Sequence, residues 1–181
     1  LYWVNPAPGA TGVPTRKTKI VFGFDEYVNI KESKNIFLSP PQAKAPKSKV
    51  SGKTVVVSFE EALDSNTTYT INFTDALADV NEGNVFPGFT YVFSTGLQID
   101  SMMLTGTVVD CNTLNPVKGA TVMLYKDHSD SAVFKNRPFA ACKTDDWGYF
   151  ALPYLKDTLY RLYAIKDENG DNMYQAETEQ I

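Results

Sequence analysis

The sequence predicts an all-β chain folded as two β-sandwiches in tandem, and three observations carry that expectation. Apolar residues recur at every second position through several short segments. Gly, Pro, Asn and Asp interrupt those segments at turn-like intervals. The pattern stops and restarts once, around Thr95-Gly96-Leu97-Gln98-Ile99-Asp100. Alternation marks a strand because successive side chains point to opposite faces, so a sheet with one face in a core and one in water alternates apolar with polar. The break divides the chain into domains of residues 1–97 and 98–181, joined by a short linker without a Gly/Ser run. With 181 residues, 43% of them hydrophobic and 21% charged, the chain has the length and composition to bury two small cores.

In chain order, Tyr2 and Trp3 are expected to pack in a first strand, followed by a strand with Ile20, Phe22 and Phe24 on one face. Ser39-Pro40-Pro41 reads as a turn, and Lys49-Val50-Ser51-Gly52-Lys53-Thr54 reads as a hairpin leading into Val55, Val57 and Phe59. Asp64-Ser65-Asn66 turns the chain into Tyr69, Ile71 and Phe73. Asp75-Ala76-Leu77-Ala78-Asp79 fits one helical turn, and Pro87-Gly88 precedes Phe89, Tyr91 and Phe93. In the second half, Leu104, Gly106 and Val108 alternate, as do Ala120, Val122 and Leu124, then Tyr160, Leu162 and Ala164. Asn115-Pro116, Lys118-Gly119 and Asp145-Asp146-Trp147-Gly148 supply the turns.

Composition narrows the function classes. A formal charge of −4 on mixed Lys, Arg, Asp and Glu gives no basic stripe to neutralise phosphates, so nucleic acid is not an expected partner. No stretch reaches the roughly 20 apolar residues of a transmembrane segment. Leu1-Tyr2-Trp3 lacks the charged and apolar regions of a signal peptide and an initiator Met, so the sequence is expected to be a mature or excised piece. Cys111 and Cys142 are equally compatible with a disulfide and with two buried thiols. With no CxxC and one histidine, structural zinc is not expected.

Catalysis finds little material. His128 sits in the polar run Lys126-Asp127-His128-Ser129-Asp130-Ser131, which reads as a solvated loop, and adjacency to Ser129 or Ser131 does not build a triad. The Asp25-Glu26 and Glu60-Glu61 pairs read as surface charge, because neighbours on a strand diverge. The chain is therefore read as a non-enzyme with no required cofactor. Asp167-Glu168-Asn169-Gly170-Asp171-Asn172-Met173 places side-chain oxygens at Asp167, Asn169 and Asp171 and a carbonyl at Met173, the way a loop wraps Ca²⁺. It departs from an EF-hand loop in having Gly at position four rather than six and Thr178 at the closing position, where Glu177 or Glu179 would have to substitute. An Asx-rich turn without metal explains the same residues. Trp147, in a turn, is the best exposed aromatic for stacking on a sugar; Tyr149, Tyr154, Tyr163 and Tyr174 read as packing residues.

The first domain resembles the bacterial Ig-like domain of the S-layer type found in surface lipoproteins of Bacteroidetes. The matching residues are Asn5-Pro6-Ala7-Pro8-Gly9-Ala10-Thr11-Gly12-Val13, Ile20 to Val28, Leu63 to Phe73, the Asp79-Val80-Asn81-Glu82-Gly83-Asn84 loop and Tyr91-Val92-Phe93-Ser94-Thr95-Gly96. The second is similar to the transthyretin-like (prealbumin-like), carboxypeptidase regulatory-like sandwich at Gly106-Thr107-Val108-Val109-Asp110, Pro116 to Val122 and Thr144-Asp145-Asp146-Trp147-Gly148-Tyr149-Phe150. Lys156-Asp157-Thr158-Leu159-Tyr160 lacks that family's usual glycine. These resemblances imply a non-catalytic structural or interaction module of the cell envelope, outer-membrane-anchored or periplasmic to extracellular, with a protein or glycan partner at the cell surface. A glycan-binding accessory module, calcium-stabilised through the loop above, is the alternative. Asp100-Ser101-Met102, Asp130-Ser131-Ala132 and Asp157-Thr158-Leu159 resemble the Asp-Ser/Thr-apolar O-glycosylation signal of Bacteroidetes envelope proteins. The Asn66-Thr67-Thr68 and Asn72-Phe73-Thr74 sequons carry little weight in a bacterial reading.

Overall fold

The computed structural model describes the whole chain except residues 32, 34, 35, 74, 75, 87, 170–172, 180 and 181. It forms two compact units, one of Leu1–Leu38 and Gln42–Ile99 and the other of Ser39–Pro41 and Asp100–Ile181. In the first unit, β1 (Trp3–Asn5), β2 (Lys19–Gly23), β6 (Thr54–Ser58) and β5 (Lys47–Ser51) make an antiparallel sheet in that order. Ile20 pairs with Val57 and Phe22 with Val55, so the period-2 apolar set of both strands falls on one buried face. Ser51 opposes Thr54, leaving Gly52-Lys53 as a two-residue hairpin loop. Its first position needs positive φ and holds Gly52 at +61°.

A second sheet has the order β4 (Ile36–Ser39), β7 (Thr68–Phe73) and β9 (Phe89–Ser94). Tyr69, Ile71 and Phe73 lie opposite Phe93, Tyr91 and Phe89 across β7 and β9. The two inner faces meet through aromatic rings: Phe22 approaches Phe73 edge-on at 4.8 Å and Tyr91 at 5.3 Å, the geometry that sets a ring's positive edge against a negative face. Residues 9–13 run along β9, with Gly9 N–H donating to the Val92 carbonyl at 2.8 Å and Ser94 N–H to the Ala10 carbonyl at 2.8 Å. Tyr91 donates its hydroxyl to the Pro6 carbonyl at 3.0 Å. The N-terminal stretch thus pairs with β2 in one sheet and continues along β9 in the other, which is how a sandwich ties its layers together.

Two local expectations are corrected in this unit. Leu77, Ala78 and Asp79 form β8 (Leu77–Asp79), paired with β3 (Val28–Ile30), rather than a helical turn; Asp75 lies outside the described residues. Leu77 and Ala78 are fully buried, and burial plus ladder hydrogen bonds outweigh a few residues' helix propensity. Tyr2 is 80% exposed instead of packed, while Trp3 covers Gly23, where a Cβ would lie 2.2 Å from the indole. Phe59, just beyond the end of β6, packs partly buried against the same core as Val55 and Val57, as its spacing predicts.

The second unit holds β10 (Met102–Thr107) against β13 (Tyr149–Leu155), and β11 (Thr121–Tyr125) between β12 (Ala140–Lys143) and β14 (Arg161–Ile165), all antiparallel. Val122, Leu124, Ala140, Phe150, Leu152 and Leu155 form its core. β11 is buried along both faces rather than one, with Met123 and Tyr125 covered as well as Val122 and Leu124. Tyr163 lies edge-on to Tyr125 at 5.8 Å on that second face. In β14 the expected inward set is broken: Ile165 is fully buried but Leu162 is 45% exposed. A four-residue helix, α1 (Ala132–Lys135), follows the polar run at Ser131 and buries Ala132 and Val133; it is too short to show helical periodicity in the sequence.

Candidate functional site

Trp147 stands on a turn built by one carboxylate. Asp145 Oδ1 accepts the N–H groups of Trp147 at 2.8 Å and Tyr149 at 2.9 Å, and the Asp145 carbonyl accepts the Gly148 N–H at 3.0 Å. Gly148 has φ +71°, and a Cβ there would meet the Val108 carbonyl oxygen at 2.4 Å, so the turn requires glycine. Trp147 is 76% exposed, Tyr149 is 46% exposed, and Asp146 of the turn pairs at 2.6 Å with Lys118 of the neighbouring loop. The arrangement is an exposed aromatic face on a hydrogen-bonded turn, with an ion pair linking that turn to the neighbouring loop.

The loop read as a calcium candidate is closed from its ends. The Glu179 carboxylate, 7% exposed as a residue, accepts the N–H of Glu168 at 3.2 Å and of Gln175 at 2.9 Å. The Asn169 amide donates to Gln175 Oε1 at 2.9 Å. Asp167 and Met173 are described residues of the same loop; Asp171, with Gly170 and Asn172, lies outside them. Glu179 was named from sequence only as a substitute metal ligand, and its observed work is to bind backbone across the loop. Among the described residues no group of three or more His, Cys, Asp or Glu side chains is arranged to hold a metal ion.

Other carboxylates do the same kind of work. Asp79 accepts from Asn81 N–H at 3.0 Å and Glu82 N–H at 2.7 Å; Asp110 accepts from Asn112 and Thr113; Asp127 accepts from Ser129 N–H and the Asn136 amide. These bonds to the charged form hold all three below the ordinary aspartate value. Glu60 is likewise lowered by its bonds to Lys47 and Lys44. His128, Asp25 and Glu26 are exposed. Both cysteines are free thiols, Cys111 exposed and Cys142 half-buried, and desolvation pushes the Cys142 thiol up to about 12. A thiol so raised is a poor nucleophile at neutral pH. Of the three Asp-Ser/Thr triplets, Thr158 and Ser101 are exposed while Ala132 of the third is fully buried in α1. Thr74, of the second sequon, lies outside the described residues.

Sequence reasoning did not single out the capping roles of Asp79, Asp110 and Asp145, although an Asp two residues before a turn N–H is the available signal. Nor did it separate edge strands from central ones, and among the described residues β10 is an edge, with Met102 50% and Met103 64% exposed. Among the described residues no helix is long and apolar enough to cross a membrane.

A family model described as a bacterial Ig-like domain matches residues 1–95. Among solved structures the chain is similar to the major pilin subunit of Bacillus cereus, at 11% identity over 90% of this chain and 57% of that one, with a TM-score of 0.29. It is also similar to an L,D-transpeptidase from Mycobacterium smegmatis, at 13% identity over 89% of this chain and 73% of that one, with a TM-score of 0.35. The chain therefore spans little more than half the length of the pilin. No curated protein matches it.

Proposed function

The chain belongs, through residues 1–95, to the bacterial Ig-like domain family, and from that premise we propose that it is a non-catalytic structural and interaction module of the bacterial cell envelope. Bacterial Ig-like domains are typically extracellular or surface-located. On this reading the chain is a spacer or docking surface of an envelope lipoprotein of the Bacteroidetes type, with residues 98–181 as a transthyretin-like companion. The observation that carries it is how the carboxylates are spent. Asp79, Asp110, Asp127, Asp145 and Glu179 each accept backbone N–H groups at separate turns, so their charge stabilises loops. An active site would require such groups to converge on a cleft. Assays on generic ester, peptide and glycoside substrates are expected to show no turnover. Reproducible turnover abolished by a single point mutation would overturn the reading.

Trp147 favours a second reading, a glycan-contacting accessory module, because an aromatic residue 76% exposed on a turn held by Asp145 is placed to stack on a sugar ring. Retention on immobilised surface polysaccharide, lost in Trp147→Ala with unchanged melting, would support it. Calcium at Asp167, Asn169, Asp171 and Met173 is tested by thermal unfolding of metal-stripped protein, since a ligand bound only by the folded state raises the transition. The hydrogen bonds that Glu179 and Asn169 make within the loop lead us to expect no Ca²⁺-specific shift. A rise lost in Asp167→Ala would establish the metal.

A further inference from the structure

Among the described residues β10 pairs with β13 on one side and with no strand on the other. Val108 N–H donates to the Gly148 carbonyl at 2.8 Å, which fixes the alternation of the ladder. Even-numbered residues of β10 direct their backbone groups at β13, and Met103, Thr105 and Thr107 turn theirs to the open edge. The irregularity in this pair lies in β13. Met102 faces Leu155 and Leu104 faces Leu152, so Pro153 and Tyr154 together oppose Met103, and β10 itself stays regular. Natural edges are blunted by charge, proline or bulges. β5 carries Lys47 and Lys49, β12 ends in Lys143, β14 begins with Arg161, and Pro6 follows β1. From Ser101 to Val109 there is no charged residue and no proline, so β10 lacks these defences.

We propose that β10 pairs edge to edge with β10 of a second copy of this chain, antiparallel and centred on Leu104. In that register Met103 opposes Thr105 of the second copy and Ser101 opposes Thr107, so the outward-turned N–H and C=O groups of both strands meet as ladder pairs. The aspartates that bracket the uncharged stretch select the register. Asp100 and Asp110 lie just beyond the ends of β10; centring on Leu104 leaves the two out of step, whereas centring on Thr105 would bring Asp100 of each copy level with Asp110 of the other, like charges facing at both ends of the ladder. A strand of six residues buries less than the roughly 1,200 Å² of stable complexes, so the pairing depends on concentration and suits molecules crowded on a surface. It gives the interaction role argued above its partner, and rests on that reading for its setting only.

The test is sedimentation analysis of the full chain from about 10 μM to about 1 mM, a span covering weak association. The expected result is a monomer–dimer shift in the wild type, lost in the double variant Met103→Lys/Thr105→Lys, which sets like charges directly opposite at two places and changes only exposed side chains. Thr105→Pro, which removes an open-edge N–H at a position where edge strands tolerate proline, is expected to act alike. Lys49→Ala on β5 is expected to leave the shift unchanged. A wild type that stays monomeric, or a dimer that survives the double lysine variant, overturns the proposal. Neither outcome touches the structural role, which the turnover assays decide.

Discussion

At Gly148 the backbone sits at φ +71° with the Val108 carbonyl 2.4 Å from where a Cβ would be, whereas Gly119 at φ +72° has open space around the same position. Both substitutions to Ala force an L-residue into the left-handed region, a cost of about 1–2 kcal/mol. Only Gly148→Ala adds a clash with backbone. Urea unfolding is expected to show Gly148→Ala less stable than Gly119→Ala by at least about 1 kcal/mol. Equal losses would mean that the turn beneath Trp147 relaxes freely. The two thiols give a second contrast. Cys142, raised to about 12 by desolvation, is expected to react with a thiol reagent only as the protein opens, and exposed Cys111 at once. One fast and one slow equivalent in a colorimetric thiol titration checks this.

Among the elements, β11 and β14 show what alternation conveys and what it omits. Leu124 on β11 is fully buried, and Leu162, its register partner on β14, is 45% exposed. Leu124→Ala is expected to cost about 2–5 kcal/mol through lost transfer energy and a residual cavity. Leu162→Ala is expected to stay within about 0.5 kcal/mol. Comparable losses would place Leu162 in the core, as its spacing in the sequence implied. The strands β2, β6, β7 and β9 were legible because each sends every second residue into one core, so the pattern lies within the strand. β8 was not, because Leu77 and Ala78 become a strand only by pairing with β3, far away in the chain. The Trp147 turn was legible for the opposite reason: Asp145 and Gly148 act within four residues of each other. The closure of the Asp167 loop by Glu179 depends on a carboxylate arriving from outside the motif.

For the molecule as a whole, pH probes both units at once. Burial raises Tyr69 and Tyr91 in the first unit and Tyr125 in the second to about 12, against an ordinary value of 10.0. A folded-state value above the unfolded one means that the stabilisation is complete below pH 10 and is lost as pH rises through 12. Melting temperature is therefore expected to fall across that window, with the absorbance of these tyrosinates at 295 nm appearing late or together with unfolding. Early ionisation of all the tyrosines in a folded chain would contradict the burial. At the other end Asp79, Asp110 and Asp127 lie below 3.8 in the fold, so their contribution holds above that value and fades as pH drops through the lowered ones. The lowering comes from hydrogen bonds at contact distance, which salt screens little, so the acid effect is expected to persist with added salt.

The sequence alone determined the all-β class, the strands that alternate against a core, the hairpin at Gly52 and the turn that presents Trp147, because each is set by side chains within a few residues of one another. Tertiary structure alone decided that Leu77 to Asp79 is a strand, that β11 is covered on both faces, that Glu179 serves a loop and that β10 has, among the described residues, a strand on one side only. Each of those depends on which distant segment arrives alongside, and hydrophobic periodicity records that a face is buried without recording what buries it.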